Sequence, residues 1–215
     1  ALKNDILQMK NRGFNMIRKH LKIEDPLQYY WCDKLGMFVW QDMPHATAMN
    51  TGSVGGEAPG RDIYEDALES CLMRDYNHPS VIMVCLFNET WGINHNGAQA
   101  SDGLTTHAWM QEMYYRTKDI NPNLLVEDMS PCNEDKIQPT DVNTFHMYEK
   151  NYHDVLAKTQ RFVDGAYVGS EQNFWGDFVQ EGEPLLNSEY GGVGAYEGDY
   201  DVSLCYKYQT DIQRQ

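Results

Sequence analysis

The stretch VIMVCLFNETW, residues 81–91, runs uncharged through seven residues and then stops at Asn88-Glu89. A second acid closes a similar stretch, PLLNSEY at 184–190, which carries Glu189. A carboxylate at the end of a buried strand is partly desolvated, so its proton affinity can rise until it acts as an acid near neutral pH. Two carboxyl groups facing each other are the equipment of glycoside hydrolysis: one protonates the leaving oxygen, and the other attacks the anomeric carbon or activates water. A lone glutamate after a strand is ordinarily a helix cap or a surface group. The pair, with Asn88 beside one member and Arg18 on another strand, is what points to chemistry.

Such a pair needs a scaffold that brings distant strand ends together. Helical and strand patterns alternate along the whole chain. Helices are expected at 1–12, 26–35, 61–76, 104–119 and 151–163, with another beginning near Val202; strands are expected at 14–18, 37–41, 81–87, 124–128, 142–148 and 184–190. Asp25-Pro26 starts the second helix with a side-chain cap and a proline in the first turn, and Gly36 stops it. Residues 42–60, rich in Gly, Ala, Ser and Thr, read as a long loop.

Strands alternating with helices imply βαβ units and a parallel sheet, as an open doubly wound sheet or as a (β/α)8 TIM barrel. No G-x-G-x-x-G or Walker motif follows any strand, which argues against the nucleotide-binding version. In either architecture the reactive side chains stand at the carboxyl ends of the strands. Those ends carry Arg18, His20, Asp42, Asn88, Glu89, Glu127, Asp128, His146, Tyr148 and Glu189. Glu127 and Asp128 alternate along a strand, so at most one is expected to point inward. Glu89 and Glu189 are about 100 residues apart, close to three units at roughly 31 residues each, which sets them across the mouth of an eight-stranded barrel.

Composition excludes several other classes. A net charge of −15 leaves no basic face for nucleic acid. No 18-residue apolar run offers a membrane span, and no secretory signal is visible. The seven histidines show no metal-ligand spacing, so neither a metal nor a cofactor is expected. Five cysteines without a C-x-x-C pair read as mostly buried, reduced thiols, which favours a reducing compartment such as the cytoplasm, although a parent protein could be secreted.

Three stretches resemble the barrel domain of glycoside hydrolase family 2. GFNMIRKH with DPLQYYWCDKLGMFVWQD is similar to the family's second and third strands and the helix between them. RDYNHPSVIMVCLFNETWG is similar to its fourth strand, and LLNSEYGG to its seventh. The resemblance implies a retaining β-glycosidase, β-galactosidase-like and exo-acting, in carbohydrate metabolism. Glu89 would be the acid/base and Glu189 the nucleophile, kept ionised by Arg18 and hydrogen-bonded by Tyr148. Asn88 would bind the sugar 2-hydroxyl, with His146, Trp91 and Asp42 as further substrate contacts. The family usually places a histidine three residues after the strand-two arginine; His20 follows Arg18 by two, so that role does not transfer.

The six strands match the second to the seventh of the family's barrel. Residues 1–215 are therefore expected to form an incomplete barrel, its first and eighth strands missing. Its partners would be a carbohydrate substrate, further domains of a parent chain and, through the open edges, a second copy. The competing expectation is a carbohydrate-binding or structural fragment without turnover.

Overall fold

The computed structural model describes residues 1–45, 60–89, 93, 103–132, 135–149, 151–165 and 173–190. The expected helix near Val202 and most of the 42–60 loop lie outside them. The first half of the chain runs α1 (Leu2–Asn11), β1 (Met16–Lys19), α2 (Pro26–Leu35), β2 (Phe38–Asp42), α3 (Arg61–Asp75) and β3 (Val81–Asn88). It continues through α4 (Thr106–Ile120), β4 (Leu125–Ser130), β5 (Asn143–Met147), α5 (Tyr152–Val163) and β6 (Leu185–Tyr190). The helix starts follow their caps. Asp25 accepts from Leu27 N–H at 2.8 Å in front of Pro26, Thr105 accepts from Ala108 N–H, and Asn151 accepts from Asp154 N–H. Helix α2 ends where Gly36 takes φ +68°, a left-handed conformation that glycine adopts without steric cost.

Strands β1, β2, β3 and β4 form one parallel sheet in sequence order, and β5 and β6 form a parallel pair. The register sets Asp42 opposite Cys85, Cys85 opposite Glu127, Asn88 opposite Ser130, and His146 opposite Glu189. No ladder joins β4 to β5 among the described residues, and no helix lies between them. Side chains make the join instead: Thr144 donates to Glu127, and Ser130 reaches both His146 and Ser188.

The sheet buries apolar side chains on both faces, which is why β3 is apolar almost throughout. On the helix side Phe87 stacks on Tyr64 with ring centroids 5.1 Å apart, and Trp109 closes on both rings. Met110, Met113, Leu68 and Val126 fill around them. On the opposite face Trp40, Met83, Cys85 and Val142 form the interior of the curved sheet. Cys32, Cys71 and Cys85 are buried free thiols, and Cys132 is exposed.

At the amino-terminal end of β3, His78-Pro79-Ser80 is tied to α2. Asp33 Oδ2 lies 2.6 Å from His78 Nδ1, and Asp33 Oδ1 accepts from Ser80 N–H at 2.9 Å. Burial pushes the Asp33 carboxyl up, but the bonds from Ser80 and His78 outweigh it and hold the group below its ordinary value. Its folded-state value is depressed. The stabilisation is therefore intact above the ordinary carboxylate range and lost as pH falls through it. Asp33→Ala is expected to cost about 1–3 kcal/mol in chemical denaturation at pH 7, the loss shrinking toward pH 3.

Candidate active site

The carboxyl ends of β1, β2, β3, β4, β5 and β6 converge on one cluster. Arg18, on β1, is its hub. Its Nε and one terminal nitrogen donate to the two oxygens of Asp42 at 3.0 and 2.8 Å. That nitrogen also donates to Asn88 Oδ1 at 2.8 Å, and the other donates to Glu189 Oε1 at 2.9 Å and to the Ser188 carbonyl at 3.1 Å. Burial alone would lower the basicity of this guanidinium. The Asp42 charge beside it prevails and holds it above its ordinary value. A planar fork with five donors serves acceptors on four residues and three strands, a task lysine's single ammonium cannot perform.

Glu189 receives Arg18 on Oε1 and the Tyr148 hydroxyl on Oε2. Asn88, nearly buried, must turn its carbonyl oxygen to Arg18, because arginine only donates. Its Nδ2 is the group left to donate. The Asn88 backbone N–H is received by His45 Nε2 at 2.7 Å.

Glu89 sits one residue past β3 with φ +54°, and its N–H donates to the Ser130 carbonyl at 2.8 Å. A left-handed backbone at a non-glycine residue costs about 1–3 kcal/mol and is retained where surrounding structure enforces it. Here that turn redirects the chain so that the Glu89 side chain meets the interior. His146 Nδ1 lies 3.2 Å from Glu89 Oε1, and His146 Nε2 lies 3.6 Å from Glu189 Oε1. One oxygen of Glu89, one of Glu189 and one ring nitrogen of His146 all lie within 4.8 Å of one another. The side chains of Glu89 and Glu189 are 19% and 22% exposed, open enough for a substrate and sheltered enough to matter electrostatically.

The structure thus brings together Arg18, Asp42, Asn88, Glu89, His146, Tyr148 and Glu189. Trp91 lies outside the described residues. Asp42, expected as a further substrate contact, has a side chain 1% exposed with both oxygens held by Arg18. Its place is behind the arginine, as the counter-charge that fixes the fork. The expectation for Glu127 and Asp128 changes too. Both carboxylates converge on the fully buried Lys136, whose Nζ is 3.5 Å from Glu127 Oε1 and 2.8 Å from Asp128 Oδ1.

Two residues at the site escaped sequence reasoning, and a third, His20, was named at a strand end but given no role. His20 Nδ1 is 3.3 Å from Asp42 Oδ2 and 3.6 Å from Glu189 Oε1, and its side chain is half exposed. The Asp42 hydrogen bond raises its proton affinity. Its position two residues after Arg18, on the same face of an extended segment, was the available signal. Ser130 and Ser188 were hidden: the strand pattern was ended at 128, and the serine beside Glu189 read only as part of a motif.

Six parallel strands, four in one sheet and two in a pair, thus present this cluster at their carboxyl ends. The sequence matches the family described as glycosyl hydrolases family 2, TIM barrel domain, over residues 1–210. The chain belongs to that family, and the fold is a partial barrel of this type. A β-galactosidase of Aeromonas hydrophila is 30% identical over 92 residues, covering 42% of this chain and 9% of that protein. Among solved structures, a β-galacturonidase from Eisenbergiella tayi bound to galacturonate superposes with TM-score 0.66 at 22% identity, covering 96% of this chain and 34% of the other. A Bacteroides uniformis β-glucuronidase gives TM-score 0.63 at 22% identity, covering 91% of this chain and 22% of the other. These likenesses rest on part of each relative: the chain spans 21% of a putative β-glucuronidase of Formosa agariphila, to which it is 24% identical over 193 residues.

Proposed function

We propose that this chain carries the catalytic centre of a retaining exo-β-glycosidase acting on galactoside-type sugars, the corresponding hexuronides included. The observation that carries the reading is the approach of Glu89 and Glu189 within 4.8 Å. Retaining enzymes hold their two carboxyl groups about 5–5.5 Å apart, whereas inverting enzymes need roughly 6.5–9.5 Å to admit a water.

Each residue then has one task. Glu189, held by Arg18 and Tyr148, attacks the anomeric carbon as the glycosidic bond breaks, and Glu89 gives its proton to the departing oxygen. The sugar becomes an ester of Glu189. Glu89, now a carboxylate, takes a proton from water as that water attacks the same carbon. The Glu189 ester bond breaks, and the configuration is restored. Asn88 Nδ2 donates to the sugar 2-hydroxyl, a contact that strengthens as positive charge develops on the ring. The named activities of the relatives, galactosidase, galacturonidase and glucuronidase, are consistent with this substrate class.

Proton NMR of early turnover tests the reading. Cleavage of an aryl β-galactoside or β-galacturonide by the full chain is expected to give the β-anomer first, with the α-anomer appearing only by mutarotation. An initial α-anomer excludes retention. The absence of turnover across a panel of aryl β-galactosides, β-glucuronides and β-galacturonides supports the inert fragment instead.

A further inference from the structure

We propose that Ser130 and Ser188 are positioning residues that fix the ring tautomer of His146, so that its bare Nδ1 faces Glu89 and favours the protonated carboxyl. This rests on the reading of Glu89 as the acid/base. Ser188 Oγ donates to the Phe145 carbonyl at 3.3 Å, and Ser130 Oγ donates to Ser188 Oγ at 2.9 Å. A carbonyl can only accept, so the chain of hydroxyls has one direction. Ser130 has then spent its proton, and His146 Nε2, 2.8 Å away, must donate to Ser130 Oγ. A neutral imidazole carries one N–H, which leaves Nδ1 bare.

That bare nitrogen lies 3.2 Å from Glu89 Oε1, on a side chain 5% exposed, and makes no aligned hydrogen bond among the described residues. Two lone pairs at that distance repel, so the bare Nδ1 favours the Glu89 carboxyl that carries a proton over the carboxylate. When Glu89 protonates the leaving oxygen, the carboxylate is left facing the bare Nδ1. That repulsion makes it a stronger base for the water that follows. Other groups facing the ring are Glu189 Oε1, 3.6 Å from Nε2, and Tyr148, with ring centroids 6.1 Å apart. Arg18 meets both Glu189 and the Ser188 carbonyl beside the ring.

Without Ser130 the ring is free to move its proton to Nδ1 and donate to the Glu89 carboxylate, which favours the deprotonated acid. In the full chain, Ser130→Ala and Ser188→Ala are expected to shift the alkaline limb of kcat/KM to lower pH. Turnover of poor leaving groups should fall about tenfold, while dinitrophenyl glycosides are cleaved nearly as fast as before. Ser130→Thr restores both. An unmoved limb, or equal losses for good and poor leaving groups, overturns the proposal. Should the alanine variants not fold, nitrogen-15 NMR of His146 in the unaltered protein decides: a proton on Nε2 with a bare Nδ1 is expected, and a neutral ring protonated on Nδ1 overturns it. Glu89→Ala separates the underlying reading. If that variant shows no leaving-group dependence, Glu89 is not the acid, whatever tautomer His146 holds.

Discussion

Glu189→Gln is expected to lower kcat/KM by about 10⁴-fold or more on every aryl β-glycoside the protein cleaves, with the fold unchanged. The amide keeps the side chain's size and one acceptor for Arg18 and Tyr148, so packing survives while the nucleophile disappears. The loss should be independent of the leaving group, because formation of the ester itself is blocked. Glu89→Gln behaves differently: its loss grows as the leaving group becomes more basic, since only the proton donation is removed. Azide then separates the two roles. Added to Glu89→Ala it yields a β-glycosyl azide, because the anion takes the place of the deprotonated water. Added to Glu189→Ala it yields the α-azide, because the anion takes the place of the nucleophile. A Glu189→Gln variant that retains a tenth of the activity contradicts the assignment.

Lys136→Met is expected to destabilise the fold by about 3–5 kcal/mol in chemical denaturation at pH 7. Lys136 is fully buried and holds two buried carboxylates, Glu127 and Asp128; its ammonium also donates to the Met129 carbonyl at 2.6 Å. Burial pushes the Asp128 carboxyl above its ordinary value even with Lys136 present. Burial also works against the Lys136 ammonium, but the two carboxylates prevail and hold it above its own. Without the amine, both acids are left uncompensated, and the Asp128 value rises further. A group whose value is raised on folding costs stability at high pH and regains it as pH falls. The deficit of the variant should therefore shrink toward the carboxylate range. Asp128→Asn added to Lys136→Met is expected to recover part of the loss, because a neutral amide is less costly to bury than an unpaired charge. A Lys136→Met variant within 1 kcal/mol of the parent contradicts this account.

The elements were legible where a local rule fixes them. Asp25-Pro26 and Gly36 bracket α2 because capping and left-handed backbone are decided within a few residues. The apolar run at 81–87 reads as a central strand because a strand covered on both faces is mostly apolar along its length. The placement of Glu89 and Glu189 at strand ends follows from the same pattern.

The resemblance implied Arg18 and Tyr148 beside Glu189, and both reach it; the other partners were not legible, because they come from segments far apart in the chain. Arg18 meets both Asp42 and Glu189, pairings that spacing alone presents as alternatives. Asp42 is caged behind Arg18 for that reason. The break in the ladder between β4 and β5 left no trace in either strand, and the side chains that bridge it, Ser130, Thr144 and Ser188, are small polar residues found at many strand ends. Lys136 follows a strand in a stretch without periodicity. Its burial depends on two acids that a strict alternation of strand faces would have separated.

The central claim is that Glu189 becomes covalently bound to the sugar while Glu89, within 4.8 Å, handles the proton. It is tested most directly by mass spectrometry after exposure to 2-deoxy-2-fluoro-β-glycosyl fluorides of galactose, glucuronic acid and galacturonic acid. At least one of these should inactivate the protein and add one fluorosugar to the peptide containing Glu189. A label on any other residue, or steady turnover of all three without a trapped ester, would contradict it.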